Sequence, residues 1–590
     1  MGALDIKVAN KLTYRARKKS DDTINSIPKF DVDEKDSGIE NGFKYAKRAL
    51  GDIVPAGELT GYRDYFLNRV HLIHYQVPKD VDLNRYFEVM NSRGEQLEMH
   101  EIVKARLMQR LGSDEERWVF HVIWDACSEM GTYIQQNIDR GESERLFKFN
   151  DTESILIPEN YNDAAKVFSD ENRKGNSIGT ASLEDIINPQ SAENLESDMP
   201  ISEEMKDSFQ PIIDFPNFLL IVLKICRMDE PDFTPSEFNL DDKELLHEFD
   251  RKDIDVRKFT YTLLKARFLL DNYIVHHSKE EDTVDSNPWK LQVLYRADKN
   301  HGQLRNLCAD ENRQTELVHL LSMFEVAFSP RQRKNYLFYC LFYLIRYGCS
   351  DMEEYRGFVR KLADLYFQGV YLEPGMLNAK NTPLPGSFDS VILEGNALSP
   401  MLLSPEGRIP VKGREAFDAI YGDGTIVSKG VSLFVFNYLD YRIWKFYAEI
   451  LRGGQYKEGS PVRREFFQKL GCSDFGLNLF DQFYFSSTRR SLEHYYPQAN
   501  ATGRDGALDE NQINCFGNYA MIGSEANSSG SNWTPRTKLD HYLDASGKIS
   551  MVSVASLKFM IMMRICRDED RWEFDQIRGH QKKMISLMME

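Results

Sequence analysis

Glu493 and His494 stand side by side ahead of Pro497, Asn518 follows Gly517, and Asn527 and Lys538 complete the stretch 491–538. A carboxylate and an amide oxygen are hard ligands suited to Mg²⁺, which keeps several waters and takes a substrate phosphate as a further ligand. A histidine beside such a metal can accept the proton of an attacking water while the metal stabilises the leaving oxygen. Asn518 could hold the imidazole through its side-chain or its backbone carbonyl. That is phosphodiester hydrolysis by one metal and one base. The bland counterpart is a core histidine in an ordinary β-hairpin.

The elements that must position these groups can be read from the same stretch. Residues 483–485 and 492–496 suggest short strands on aromatic content, 500–511 is a Gly/Asp/Asn loop, and 515–522 suggests a second strand. A helix start near Asn527 would complete a ββα unit, with Glu493 and His494 at the end of one strand.

On Glu493-His494, Pro497-Gln498, Gly517-Asn518, Asn527 and Lys538, in that order, the stretch resembles the HNH nuclease pattern, and specifically domain-of-unknown-function family 1524. That family reads (D/E)HxxPQ, then GN, then an Asn followed by Ser/Asn and a Lys. The resemblance implies that His494 is the general base, that Glu493 and Asn527 bind Mg²⁺ or Mn²⁺, that Asn518 orients the site and that Lys538 meets substrate. Tyr495 and Tyr496 stand where the family has an Ile-rich pair. Asn437, Leu439, Asp440, Tyr441 and Trp444, in an aromatic helix expected over 433–451, resemble a run that precedes the hairpin in the same family. The helix is read as the support on which the ββα unit packs.

Nearer the N-terminus, Phe87, Asn91, Gly94 and Leu97 resemble the F-x-x-x-N-x-x-G-x-x-L signature of family 262, a ParB-like family linked in GmrSD-type restriction systems with nucleotide-dependent control of a nuclease. By that resemblance Asn91 and Gly94 are weak nucleotide-binding candidates. A helix-to-helix turn with a left-handed glycine accounts for the same pair. The family's Asp-Gly-Gln-Gln-Arg motif is absent, so little or no nucleotide hydrolysis is expected of this chain, which is read either as the downstream part of a longer protein or as a member without the motif.

Composition sets the frame. At 590 residues the chain exceeds one core, and 42% hydrophobic with 12% aromatic content is enough to fill several. A net charge of −17 excludes a protein that coats nucleic acid with a uniformly basic surface, though not a local basic groove. The eight cysteines form no CxxC pair, which points to neither zinc nor disulfides and makes a reducing cytoplasm the expected setting. No apolar run approaches the roughly 20 residues that span a bilayer, and no signal-peptide pattern opens the sequence.

Four regions are expected: a partial family-262 domain over 1–150, an acidic insertion or linker over 151–208, a helical region over 209–370 and an HNH nuclease domain over 371–590. The first includes a strand over 70–77 and helices over 99–111 and 115–138; the third, helices over 218–228, 256–277, 315–327, 335–347 and 352–367. His276-His277 is read as a helix end, and Arg331 to Lys334 as either a phosphate-facing basic cluster or a solvated helix start. Residues 371–427 are expected to be irregular with short strands, and 552–566 to close the core. The fold class is α+β and mainly helical, with a ParB-like α/β remnant, a helical middle and a C-terminal ββα-metal domain. The function expected is a metal-dependent DNA endonuclease of a GmrSD-like restriction system, acting as a homo-oligomer or as one subunit, with no membrane partner. A catalytically silent regulatory subunit and an RNA-directed nuclease are the alternatives.

Overall fold

The computed structural model describes residues 17–54, 56–70, 98–149, 155–168, 209–251, 253–278, 287–296, 302–328, 330–348, 352–394, 411–425, 430–498, 508–523, 533–542 and 556–590. The chain divides into two compact units, Met1–Gln96 and Leu97–Glu590. The boundaries expected at 150, 208 and 370 fall inside the larger unit.

In the first unit the described α-helices are Lys18–Asn25, Ser37–Ile53 and Leu59–Arg69. Asp36 joins the first two. Its carboxylate accepts Gly38 N–H at 3.0 Å, capping the second helix, and the Ser20 hydroxyl at 2.7 Å, while its own N–H donates to Thr23 Oγ1 at 2.8 Å. The strand expected over 70–77 and the candidate residues Asn91 and Gly94 lie outside the described residues, save Val70.

The larger unit is mainly helical with small two- and three-stranded sheets. Its principal helices are α1 (Met99–Met108), α2 (Asp114–Ser128), α3 (Phe215–Arg227), α4 (Val256–Tyr273), α5 (Glu311–Ala327), α6 (Pro330–Tyr347), α7 (Met352–Leu365) and α8 (Leu433–Ile450). Aspartates start several of them: Asp214 accepts Asn217 N–H, Asp255 accepts Arg257 and Lys258 N–H, and Asp310 accepts Arg313 N–H. Each satisfies donors that the first helical turn leaves open. One continuous hydrophobic core runs from Val103 on α1 to Met588 near the chain end, so the helical middle and the C-terminal region share an interior.

Several expected elements change. The helix expected to reach 138 ends at Ser128, because Glu129 leaves the helical conformation and its carboxylate turns back to Gly131 N–H at 3.1 Å. His276 and His277 do not end a helix. They lie in strand His276–Ser278, paired with Phe209–Gln210 on one side and Trp289–Lys290 on the other, after the β-branched Ile274 and Val275. Within 371–427 the described residues hold an isolated bridge at Leu377 and Pro383 and helical pieces at Ser387–Asp389 and Arg414–Tyr421. No helix among the described residues is long and apolar enough to cross a membrane.

The aromatic helix α8 is fixed to the bundle by a charged knot. Glu316 on α5 takes Arg360 Nη2 at 2.7 and 2.8 Å, Arg356 Nη1, and the Tyr441 hydroxyl at 2.9 Å, joining α5, α7 and α8. Tyr438 OH adds a bond to Asp364 on α7 at 2.7 Å. Removing one partner of a buried ion pair leaves the others uncompensated. Glu316→Leu is therefore expected to destabilise the larger unit by about 3–5 kcal/mol, seen as a lowered midpoint in thermal or urea unfolding; an unchanged midpoint would contradict the role of this knot.

Candidate active site

Two short strands carry the candidate residues. β1 (Ser491–His494) pairs antiparallel with β2 (Tyr519–Ile522), so that Glu493 faces Ala520 and His494 faces Tyr519. Between them lie a single helical turn, α9 (Glu510–Ile513), and a tight turn over Phe516–Asn518; α10 (Pro535–Tyr542), α11 (Leu557–Glu569) and α12 (Phe574–Met589) follow. The segment 483–485 is not a strand. Its three aromatic side chains are buried, and Phe485 O accepts the Trp289 indole N–H at 2.6 Å. The helix expected to start near Asn527 is found at Pro535, and Asn527 lies outside the described residues.

Successive residues on a strand point to opposite faces, and β1 places them against the usual preference. Leu492 is 37% exposed, whereas Glu493 is 5% exposed. Glu493 Oε1 pairs with the ammonium of Lys538 on α10, itself 2% exposed. The same ammonium donates to His494 O at 2.5 Å and Tyr495 O at 3.4 Å. Lys538, expected to meet substrate, is thus engaged in holding the strand. Burial raises the Glu493 carboxyl above its ordinary value and lowers the Lys538 ammonium below its own, each opposed by its partner's charge.

His494 projects the other way. Its Nε2 lies 3.0 Å from Asn514 Oδ1, and its ring meets the Tyr519 ring edge-on at 4.7 Å. Burial lowers its pKa and so favours the neutral ring, opposed by the Asn514 hydrogen bond, which favours the protonated one.

Asn518 is close by but does not touch the imidazole. Its Oδ1 accepts Tyr496 N–H at 2.8 Å and the Trp572 indole N–H at 3.1 Å, and its Nδ2 donates to Tyr496 O at 3.0 Å and Ile513 O at 3.1 Å. Its backbone carbonyl accepts Tyr495 N–H at 2.9 Å. With every hydrogen-bonding position of the amide used, Asn518 ties the exit of β1 to the end of α9. The residue that contacts the imidazole is Asn514. Nothing in its sequence surroundings distinguishes it, since an asparagine in INCFGN is also an ordinary turn residue. The indole partner Trp572 and the buried Lys558 are likewise set by tertiary placement.

The hairpin rests on α8 and α12. Asp440 on α8 accepts Lys558 N–H at 3.0 Å at the start of α11, and Lys558 Nζ donates to Phe516 O at 2.8 Å and to Tyr519 O. Gly517 lies against α12. Its N–H donates to Gln581 Oε1 at 2.8 Å, and a Cβ at this position would come within 2.2 Å of Ile577 O. Only glycine allows that approach.

The described residue here that could hold a hard dication is Glu493. Lys538 meets Glu493 at Oε1, and no hydrogen bond is formed at Oε2 among the described residues, which leaves an anionic oxygen for a cation. Among the described residues no group of three or more His, Cys, Asp or Glu is placed to hold a metal. One carboxylate with waters and a phosphate is the kind of ligand set that Mg²⁺ accepts, whereas structural zinc takes four protein ligands.

Three substitutions separate scaffold from chemistry. Gly517→Ala should destabilise the hairpin by about 1–3 kcal/mol, through the forced contact with α12, and Asn518→Ala should also lower the unfolding midpoint. His494→Ala should leave that midpoint nearly unchanged. Thermal unfolding of the three variants checks this, and an unaffected Gly517→Ala would contradict the close packing.

Residues 441–587 match the family model described as GmrSD restriction endonucleases, C-terminal domain. No curated protein and no solved structure matches the chain. The matched region begins at Tyr441 on α8, takes in both strands and every candidate residue from Glu493 to Lys538, and ends on α12; it supports a GmrSD-type restriction endonuclease.

Proposed function

We propose that the chain is a divalent-metal-dependent endonuclease of the HNH kind that hydrolyses phosphodiester bonds in DNA, within a GmrSD-like restriction system. The observation that carries the reading is the inverted strand β1. A carboxylate is buried and a leucine exposed next to a half-buried imidazole, inside the region that matches the GmrSD C-terminal domain. Burying a carboxylate costs free energy that a leucine at the same position would not, and such local departures concentrate at functional sites.

In this reading Glu493 holds Mg²⁺ or Mn²⁺ through its outer oxygen, and Asn527 joins it on the strength of its place in the sequence. The bound ion would supply charge stabilisation at the leaving oxygen. His494 takes the proton of the attacking water. Lys538 keeps Glu493 charged inside the fold and holds the backbone carbonyl of His494, and Asn518 fixes the exit of the strand. The pairing of Glu493 with an internal ammonium also favours one other reading, a catalytically silent subunit in which Lys538 replaces the metal.

The test is cleavage of plain and modified duplex DNA by the full chain with Mg²⁺, with Mn²⁺ and with chelator, together with Mn²⁺ binding by calorimetry. Cleavage is expected only with metal. His494→Ala should lower the rate by on the order of 10²–10⁴-fold and leave Mn²⁺ affinity nearly unchanged. Glu493→Ala and Asn527→Ala should weaken Mn²⁺ binding and regain part of their rate at high metal. Metal-independent cleavage would overturn the ligand assignment. No cleavage together with no Mn²⁺ binding would favour the silent subunit.

A further inference from the structure

The His494 imidazole makes one side-chain hydrogen bond among the described residues, and the identity of that contact decides which ring nitrogen is free. Asn514 Oδ1 lies 3.0 Å from His494 Nε2 and also accepts the Gln498 side-chain N–H at 2.9 Å. An amide oxygen accepts and does not donate, so the contact requires a proton on Nε2. In the neutral ring, the form a general base needs, Nδ1 then carries the lone pair, and it forms no hydrogen bond among the described residues. Tyr519 confines the ring from its edge.

Asn514 is held independently of the histidine. Its backbone N–H donates to Glu510 O at 3.0 Å, closing the single turn of α9, and the neighbouring Ile513 carbonyl is gripped by Asn518 Nδ2 at 3.1 Å. That turn has its own cap, in which Asp509 accepts Gln512 N–H at 2.9 Å and Gln512 accepts Asp509 N–H at 3.0 Å. The amide therefore belongs to a fixed piece of backbone, and Gln498 at the end of the Pro497-Gln498 turn fixes which way it faces.

We infer that Asn514 is the positioning residue of this site: it holds His494 as the Nε2–H tautomer, with Gln498 orienting the amide, so that Nδ1 is the atom that accepts the proton. The inference rests on the reading of His494 as the base. A neutral imidazole presents one donor and one acceptor, and the bond made by one nitrogen sets which role the other can play. Without the Asn514 oxygen the ring can turn and exchange tautomers, and Nδ1 is presented to the water for a smaller share of the time. By analogy with the orienting partners of metal-bound histidines, whose loss costs on the order of 10–100-fold, a similar fall in activity is expected.

The experiment uses the full chain with ¹⁵N-labelled histidine and duplex DNA as substrate. A ring N–H that is hydrogen-bonded and shielded exchanges slowly enough with water to be seen by NMR. The His494 signal is identified by its absence in His494→Ala, and its nitrogen is assigned from the ring correlations. In the wild-type protein it should arise from Nε2. Asn514→Leu should abolish the signal and lower kcat on the order of 10–100-fold with KM unchanged. Asn514→Asp, which keeps the accepting oxygen, should restore both. Gln498→Ala, an exposed position that leaves the hairpin intact, should speed exchange of the signal and lower kcat several-fold; it carries the test should Asn514→Leu not fold. A signal from Nδ1, a signal that survives in Asn514→Leu, or wild-type kcat in both variants would overturn the inference. If His494→Ala itself still cuts DNA, the assignment of the base fails. If His494→Ala is inactive while Asn514→Leu and Gln498→Ala keep wild-type kcat, the positioning role alone fails.

Discussion

The buried contact between Glu493 and Lys538 is the constraint on which the rest of the candidate site depends. A carboxylate that leaves water without a counter-ion loses its charge, so a strand that turns a glutamate inward needs a cation already in place. Lys538 supplies it from α10 and at the same time binds the backbone carbonyls of His494 and Tyr495. One ammonium thus sets the direction of the carboxylate and the end of the strand from which the imidazole projects. The arrangement keeps a carboxylate inside the protein beside the half-buried imidazole.

Such a pair is only as well placed as the elements around it. A two-stranded ribbon four residues long has little stability alone, and here a second buried lysine and a buried amide support it. Lys558 holds the Phe516 and Tyr519 carbonyls beneath the turn, and its backbone N–H is fixed in turn by Asp440 on α8. Asn518 joins Tyr496, Ile513 and Trp572. The aromatic helix α8 reaches back through Tyr441 to Glu316 in the helical middle. The site is therefore built on the same core as the bundle, and the helical region acts as its foundation.

How much of this was legible in the sequence follows from what each feature depends on. The order Glu493, His494, Gly517, Asn518 marked the hairpin because the strand pair and its turn are local. The supporting role of α8 could be read from its aromatic run; Phe436 on it meets Phe516 of the turn at 5.2 Å and Asp440 holds Lys558 N–H, while Tyr441 and Trp444 face α5. The roles within the hairpin were less legible. Asn518 looked like the partner of the imidazole, but its amide is used up on backbone and indole, and Asn514, four residues earlier, takes the contact. Lys538 looked like a residue for substrate and proved to be an internal counter-ion. Both outcomes depend on which side of a strand faces which helix, and on contacts from α10 and from Trp572 that no local pattern encodes. His276 and His277 illustrate the same limit, because strand pairing across distant segments overrode the helical period that precedes them.

If the hairpin is the proposed metal-dependent phosphodiesterase centre, the ion sits at Glu493, and its position can be located. Crystals of the full chain soaked in Mn²⁺ would show the ion by its anomalous scattering. One peak is expected within about 2 Å of the Glu493 carboxylate, lost in Glu493→Ala, with Lys538 still bound to the His494 carbonyl. A protein that cleaves DNA with Mn²⁺ yet shows no ion at Glu493, or binds it at a site elsewhere in the chain, would contradict it.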